Sequence, residues 1–242
     1  MLWRNNGETY KKLTPCRVEK QTRPSDGTQA GHQFMTYYDI ETGPLPRTEL
    51  EKLHPFDPES VKFGNTKDPE KRQAKLVEAQ VNHLKDLEDK GALSPLTGVV
   101  LAIGILTKGE EPVILTGEEP DILAEFWQRF HASNDYWVGF NSHSFDLPFV
   151  VKRSWKHSLH VHGVRKGRYW NDRFIDLRDD WQMGDRQAKG SLDAIARHLG
   201  IEGKNGKGED FARMFQLNPE KAINYLKNDL RMTQEIHERM KL

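Results

Sequence analysis

The chain has a single cysteine, Cys16, set in a polar N-terminal stretch. An internal disulfide is therefore excluded, and with it the disulfide-framed class of small secreted domains. A reducing, intracellular and cytoplasmic setting fits that usage. Long apolar runs are also missing. None approaches the roughly 18 residues of a membrane-spanning helix, and the N-terminus has no signal-peptide core. The expectation is a soluble protein with no membrane partner. Neither sign of charge is in excess, since 36 Lys plus Arg face 36 Asp plus Glu. That balance argues against a strongly basic protein held on duplex DNA mainly by counterion release. Nucleic acid stays open, because a site built from several carboxylates adds negative charge that metals later cancel, and basic patches vanish into the total. Internal repeats and low-complexity tracts are lacking too, which removes solenoids and propellers.

What is present suits one large domain, or one domain with appendages. Residues 1–31 are polar and rich in turn formers (RPSDGTQAG), and read as a flexible or irregular leader. Residues 32–242 read as the globular domain. It opens with a strand over Gln33–Ile40 (QFMTYYDI). A long interruption at about 44–95 follows, its first half broken by prolines. Its second half reads as one helix, with Asp68 as N-cap, Pro69 at the first helical position and Gly91 as the stop. Leu76, Val77, Val81, Leu84 and Leu87 make only a narrow apolar stripe, so this helix belongs on a surface. A connection of that length is an insertion.

Two strands come next, VVLAIGILT and PVILTG, then an amphipathic helix over Asp121–Ala132 and a short apolar strand, YWVGF. A helix starting in FDLPFVVKRSW, a strand FIDL, a helix SLDAIARHLG and the last helix PEKAINYLKNDLRMTQEIHERM complete the chain. The order predicts an α/β fold: a mixed five-stranded sheet flanked by helices, three strands antiparallel and two added through helical crossovers.

The chemistry concentrates in a few acids. Asp39 and Glu41 stand at i and i+2 of a strand, so both point to one face. Like charges so placed repel unless something positive lies between them. On the last helix, Ala222, Tyr225, Met232, Ile236 and Met240 share one face, and Asp229 falls on it. Lys227, Arg231 and Glu235 take the opposite side. A carboxylate among apolar residues needs a partner, or it takes up a proton. Asp146 follows the short strand and the turn NSHS. The helix macrodipole alone accounts for an acid there, yet the end of a central strand is also where open α/β sheets place their sites. Divalent ions satisfy converging carboxylates, and a two-metal site is a nuclease or phosphatase device.

A strand carrying D-x-E, a later N-x-x-x-F-D at Asn141–Asp146 and a last helix carrying Y-x-x-x-D at Tyr225 and Asp229 together resemble the DEDD superfamily of 3′→5′ exonucleases. The tyrosine resembles its DEDDy branch, and the segments are worded like the proofreading exonuclease domains of family B DNA polymerases and their stand-alone relatives. The His branch would place its histidine five residues before the last Asp, where this chain has Asn224. The resemblance covers about residues 33–240 apart from the insertion. It implies a ribonuclease H-like fold and two divalent ions, Mg²⁺ or Mn²⁺, held by Asp39, Glu41, Asp146 and Asp229. It also implies that Tyr225 orients the attacking water, that Asn141 and Phe145 line the substrate cleft, and that the products are nucleoside 5′-monophosphates.

The stretch 152–173 interleaves Arg153, Lys156, Arg165, Lys166, Arg168 and Arg173 with Trp155, Tyr169 and Trp170. Basic residues tracking phosphates and aromatics stacking bases are the ingredients of single-strand binding. Arg153 and Trp155 are accordingly candidate substrate contacts, although a solvated helix back followed by a loop has the same composition. His157, His160 and His162 lack the spacing of a zinc site. Asp176, Asp179 and Asp180 read as strand-end and turn residues. The expected activity is metal-dependent 3′→5′ trimming of single-stranded ends, DNA favoured. The alternatives are an RNA-trimming enzyme and a catalytically silent nucleic-acid-binding module. No polymerase domain fits this length, so the chain works alone or with a separate polymerase or repair protein.

Overall fold

Strand β1, Met35–Pro44, occupies the centre of the sheet and carries side chains into two separate layers. A computed structural model describes residues 34–164, 173–185, 187–203 and 211–240. The expected leader lies outside the described residues, as do Arg165, Lys166, Arg168, Tyr169 and Trp170. Beside β1 run β2 (Gly98–Thr107), β3 (Val113–Thr116), β4 (Tyr136–Gly139) and β5 (Phe174–Asp176). The five-stranded order is β3-β2-β1-β4-β5. β1 pairs antiparallel with β2, and β2 with β3, while β4 pairs parallel with β1 and β5 with β4. This is the mixed sheet that the sequence predicts.

The helices are α1 (Arg47–Leu53), α2 (Pro69–Gly91), α3 (Glu119–Ala132), α4 (Asp146–Lys156), α5 (Leu177–Gln182), α6 (Leu192–His198), α7 (Phe211–Leu217) and α8 (Pro219–Arg239). Alternation along β1 sorts them into two layers. Tyr38 and Ile40 point to one face, into a core shared with Phe126, Trp127 and Phe130 of α3 and with Leu147 and Phe149 of α4. Aromatic edges and faces mesh there: Phe126 meets Trp137 at 5.3 Å between centroids, and Phe130 stacks on Phe174 at 4.9 Å. Tyr37 points to the other face, beside Leu230 and Ile236 of α8, Ile195 of α6 and Leu177 of α5. Asp39 and Glu41 have the parity of Tyr37. They therefore face α8.

The connection between β1 and β2 is built as the sequence indicates over its second half. The Asp68 side chain accepts the N–H groups of Glu70 and Lys71, with Pro69 in the first turn. Val77 and Val81 of α2 are exposed, as a surface helix requires. Its first half holds a helix that the prolines conceal. Pro46 precedes α1 and Pro55 follows it, so neither breaks the hydrogen-bond ladder, and buried Leu50 anchors the helix. α5 and α7 are likewise short helices missing from the sequence reading. Among the described residues, no helix is long and apolar enough to cross a membrane.

Candidate active site

The acids of β1 meet the acid of α8 because the sheet opposite them has almost no side chains. In the ladder, Asp39 pairs with Gly104 and Glu41 with Ala102. A Cβ on Gly104 would lie 2.8 Å from Leu230 Cδ1 and 3.0 Å from Leu226 Cγ. The missing side chain lets α8 settle onto the sheet. Asp229, buried within the apolar face of α8, is thereby carried to β1. One carboxylate oxygen each from Asp39, Glu41 and Asp229 falls within 4.8 Å of the others. Just past Glu41, a β-bulge shifts the register between Glu41 and Thr42, and such bulges re-aim side chains beside sites.

Asp146 approaches from the other layer. It is 4 % exposed in the first turn of α4, and its Oδ1 accepts the Ile40 N–H at 3.1 Å. Burial pushes its carboxyl well above the usual carboxylate range, and the Asp39 charge adds to that; the Ile40 hydrogen bond opposes both. A cavity of about 380 Å³ gathers the residues that the sequence singled out: Asp39, Glu41, Asn141, Phe145, Asp146, Tyr225 and Asp229 all line it. Tyr225 lies one helical turn before Asp229 and is half-buried at the wall.

Two further residues shape this cavity without having been expected to. Asp176, at the end of β5, is 3 % exposed. Its Oδ1 accepts the N–H groups of Asn141 at 2.7 Å and Arg178 at 2.9 Å, and its Oδ2 accepts that of His143 at 2.8 Å. It clamps the turn after β4 and caps α5. Asn141 needs the clamp because it adopts a left-handed φ of 59°, a conformation Asn tolerates better than most residues. Arg178 lines the cavity and donates from Nη1 to Asn141 Oδ1 at 3.0 Å. A strand-end Asp two residues before a helical N–H is the sequence signal for such a cap. His143, Asp176 and Asp179 form a second close group of metal-type ligands. Asp176 spends its oxygens on backbone donors, however, and His143 Nδ1 lies 2.8 Å from Asp179 Oδ2. That group explains itself as structure.

Arg153 and Trp155 are not brought to the cavity. Arg153 is 2 % exposed and forms a fork with Glu119, Nε to Oε1 at 2.8 Å and Nη2 to Oε2 at 2.6 Å. Its Nη1 donates to the Pro95 carbonyl at 3.2 Å. His157 Nε2 joins the same carboxylate at 2.7 Å. With its donors so committed, Arg153 is a structural residue, which corrects its expected place at the substrate. Trp155 lies on the outer side of α4, at a separate groove.

A mixed five-stranded sheet with carboxylates gathered at its central strand is the kind of site that metal-dependent nucleases use. Residues 110–242 match the family of predicted 3′-5′ exonucleases related to the exonuclease domain of PolB. The chain belongs to that family. Over 158 residues, 59% of this chain and 20% of the relative, it is 26% identical to a DNA polymerase of Archaeoglobus fulgidus. The fold is similar to that of a family B DNA polymerase from the archaeon Pyrobaculum calidifontis, with a TM-score of 0.59 and 14% identity, over 89% of this chain and 25% of that one. The chain thus spans about a fifth to a quarter of the length of these polymerases. The acids fit the divalent metals such exonucleases use. They offer hard oxygen donors, suited to Mg²⁺ or Mn²⁺, and their mutual repulsion calls for a cation among them.

Proposed function

We propose that the chain removes nucleotides from single-stranded 3′ ends, DNA before RNA, by two-metal hydrolysis. The observation that supports this most directly is the convergence of Asp39, Glu41 and Asp229 within 4.8 Å at a cavity that Tyr225 and Asp146 also line. Asp39, Glu41 and Asp229 would hold one ion, and Asp39 with Asp146 the other. Bound there, the ions supply Lewis acidity, making water nucleophilic near neutral pH and offsetting charge on the leaving 3′ oxygen.

The chain's own residues do the positioning. The Tyr225 hydroxyl exchanges hydrogen bonds with the attacking water and needs no change of charge to do so. Arg178 holds Asn141 by its amide oxygen, which leaves the amide N–H donors for the substrate. Phe145 offers a flat apolar face to the terminal base. The cavity is near the lower end of the ~300–1,000 Å³ range of ligand pockets, a size for one terminal nucleotide and not for a duplex. The likeness to DNA polymerases supports DNA over RNA.

The test incubates purified protein with 3′- and 5′-labelled single-stranded DNA and RNA, with Mg²⁺, Mn²⁺ or chelator. Stepwise shortening from the 3′ end, faster on DNA and abolished by chelator or Asp39→Ala, is the expected result. Equal cleavage of a circular strand would overturn the exonuclease reading. Faster trimming of RNA would reassign the substrate, and strand binding without any cleavage would leave a silent binding module.

A further inference from the structure

The outward side of α4 runs from the active-site cavity to a second, larger groove. Only a few α4 side chains are not buried: Pro148, Lys152, Trp155 and Lys156, preceded by the N-cap residue Phe145. Counted from Phe145 they fall at i+3, i+7, i+10 and i+11, which is one continuous helical stripe. Phe145 lines the catalytic cavity. Lys152, Trp155 and Lys156 line the groove, about 670 Å³ in volume, whose opposite wall is Lys52 and Leu53 of α1 with Leu96. The β1–β2 insertion therefore builds half of it.

The groove's chemistry is that of a strand-binding surface. Trp155 is 53 % exposed and Leu96 78 % exposed, so apolar surface of both reaches solvent. Lys52, Lys152 and Lys156 form no ion pair among the described residues, while Arg153 beneath them is neutralised by Glu119. Among the described residues of the lining Glu49 is the one acid, against Lys52, Lys152 and Lys156. Aromatic faces on which bases stack, with cations tracking phosphates, bind single strands without reading sequence. Ten rises of ~1.5 Å separate Asp146 from Lys156, so the groove lies about 15 Å from the site. At the roughly 3.4 Å per nucleotide of a stacked strand, that is about four nucleotides.

We infer that this groove holds the substrate strand about four nucleotides upstream of its 3′ end, with a base on Trp155 and phosphates on Lys52, Lys152 and Lys156. The inference rests on the exonuclease reading and adds a substrate-length requirement to it. The place of Phe145, Lys152, Trp155 and Lys156 on one side of α4 and the positive rim favour a nucleic-acid strand over a protein segment.

Binding is measured by fluorescence anisotropy on the Asp39→Asn chain, which holds strands without shortening them, using 5′-labelled DNA of three and of ten nucleotides. Loss of one stacked base weakens binding severalfold or more, so Trp155→Ala should raise the Kd of the ten-nucleotide strand at least about fivefold. The change for the three-nucleotide strand should be much smaller. Replacing Lys52, Lys152 and Lys156 by Ala should flatten the dependence of log Kd on log salt by about 2, at roughly 0.7 per phosphate contact. All four side chains are exposed, and equal melting temperatures check that the fold is intact. An equal loss at both lengths, or none at either, overturns the inference. So does unchanged strand binding together with loss of binding to a Glu-rich, Trp-containing peptide, which would make the groove a protein-docking site. If the unsubstituted chain shortens no strand with Mn²⁺, the exonuclease reading fails instead, and the length-dependent binding loss still reports on the groove.

Discussion

The Asp146 carboxylate accepts the backbone N–H of Ile40, the residue between Asp39 and Glu41, at 3.1 Å. One acid of the site thus fastens the strand that presents two others. Charge and fastening separate by substitution. Asp146→Asn keeps an oxygen that can accept the Ile40 N–H and removes the charge that burial and Asp39 both oppose. It should melt at or above the wild-type temperature in chelator, yet lose at least about a hundredfold in activity, the scale set by loss of one preorganised electrostatic contact. Asp146→Ala should lose activity and also cost about 1–3 kcal/mol, since a buried N–H is left unsatisfied. Equal melting of the two variants would mean that the hydrogen bond contributes nothing.

Mn²⁺ should raise the melting temperature of the wild type, because an ion that binds only the folded state stabilises it by about 2.7 kcal/mol at a hundred times its Kd. Asp229→Ala should abolish most of that rise and nearly all activity. Tyr225→Phe removes a hydroxyl but no metal ligand, so the Mn²⁺ response should persist while the reaction slows less than in Asp229→Ala. The reverse ranking would show that the ligand assignment is wrong.

The mixed sheet and the grouping of Asp39, Glu41 and Asp229 were legible because they rest on local periodicity, whereas Asp146 rested on the resemblance. Asp39 and Glu41 share strand parity, and Asp229 sits within the apolar face of α8. Relations across long sequence separations were not legible. Arg153 looked like a phosphate ligand in a basic stretch, but its partner Glu119 is 34 residues away. Spacing held a clue all the same: Arg153 is i+7 from Asp146, on the inward face of α4, whereas Lys152 and Trp155 point out. Asp176 was read as a strand-end residue, and its clamp on Asn141 and His143 depends on two loops meeting in space. α1 stayed hidden because prolines bounded it, which is where prolines do no harm.

The Arg153–Glu119 pair should make stability depend on acid in a specific way. Burial alone would raise the Glu119 carboxyl. Hydrogen bonds from Arg153, the Val100 N–H and His157, with the Arg153 charge, outweigh it and hold the carboxyl below its ordinary value of 4.5. A lowered carboxyl binds fewer protons folded than unfolded, so its stabilisation is complete above 4.5 and is lost as pH falls through the lower folded value. Glu119→Gln strands a buried guanidinium and should cost about 3 kcal/mol at neutral pH. The gap in melting temperature from wild type should then narrow as pH falls below 4.5. A gap that stays constant down to the acid unfolding limit would show that the pair is not what links this region to pH.

Gly104 tests whether the height of α8 above the sheet sets the active site. A side chain there would begin 2.8 Å from Leu230 Cδ1 and 3.0 Å from Leu226 Cγ, and Val adds two more carbons. The leucine ends can rotate a little, but both sit in filled cores, so α8 must lift or tilt. Overpacking of this kind costs about 1–3 kcal/mol. Asp229 lies on α8 beside both leucines, and Asp39 faces it from the residue paired with Gly104. A misplacement of about 1 Å at a reacting centre costs on the order of a hundredfold in rate. Gly104→Val should therefore lose activity and Mn²⁺-induced stabilisation together, at a temperature where it is still folded. Loss of stability alone, with Mn²⁺ binding and rate intact, would show that the acids hold their positions independently of how closely α8 packs on β2.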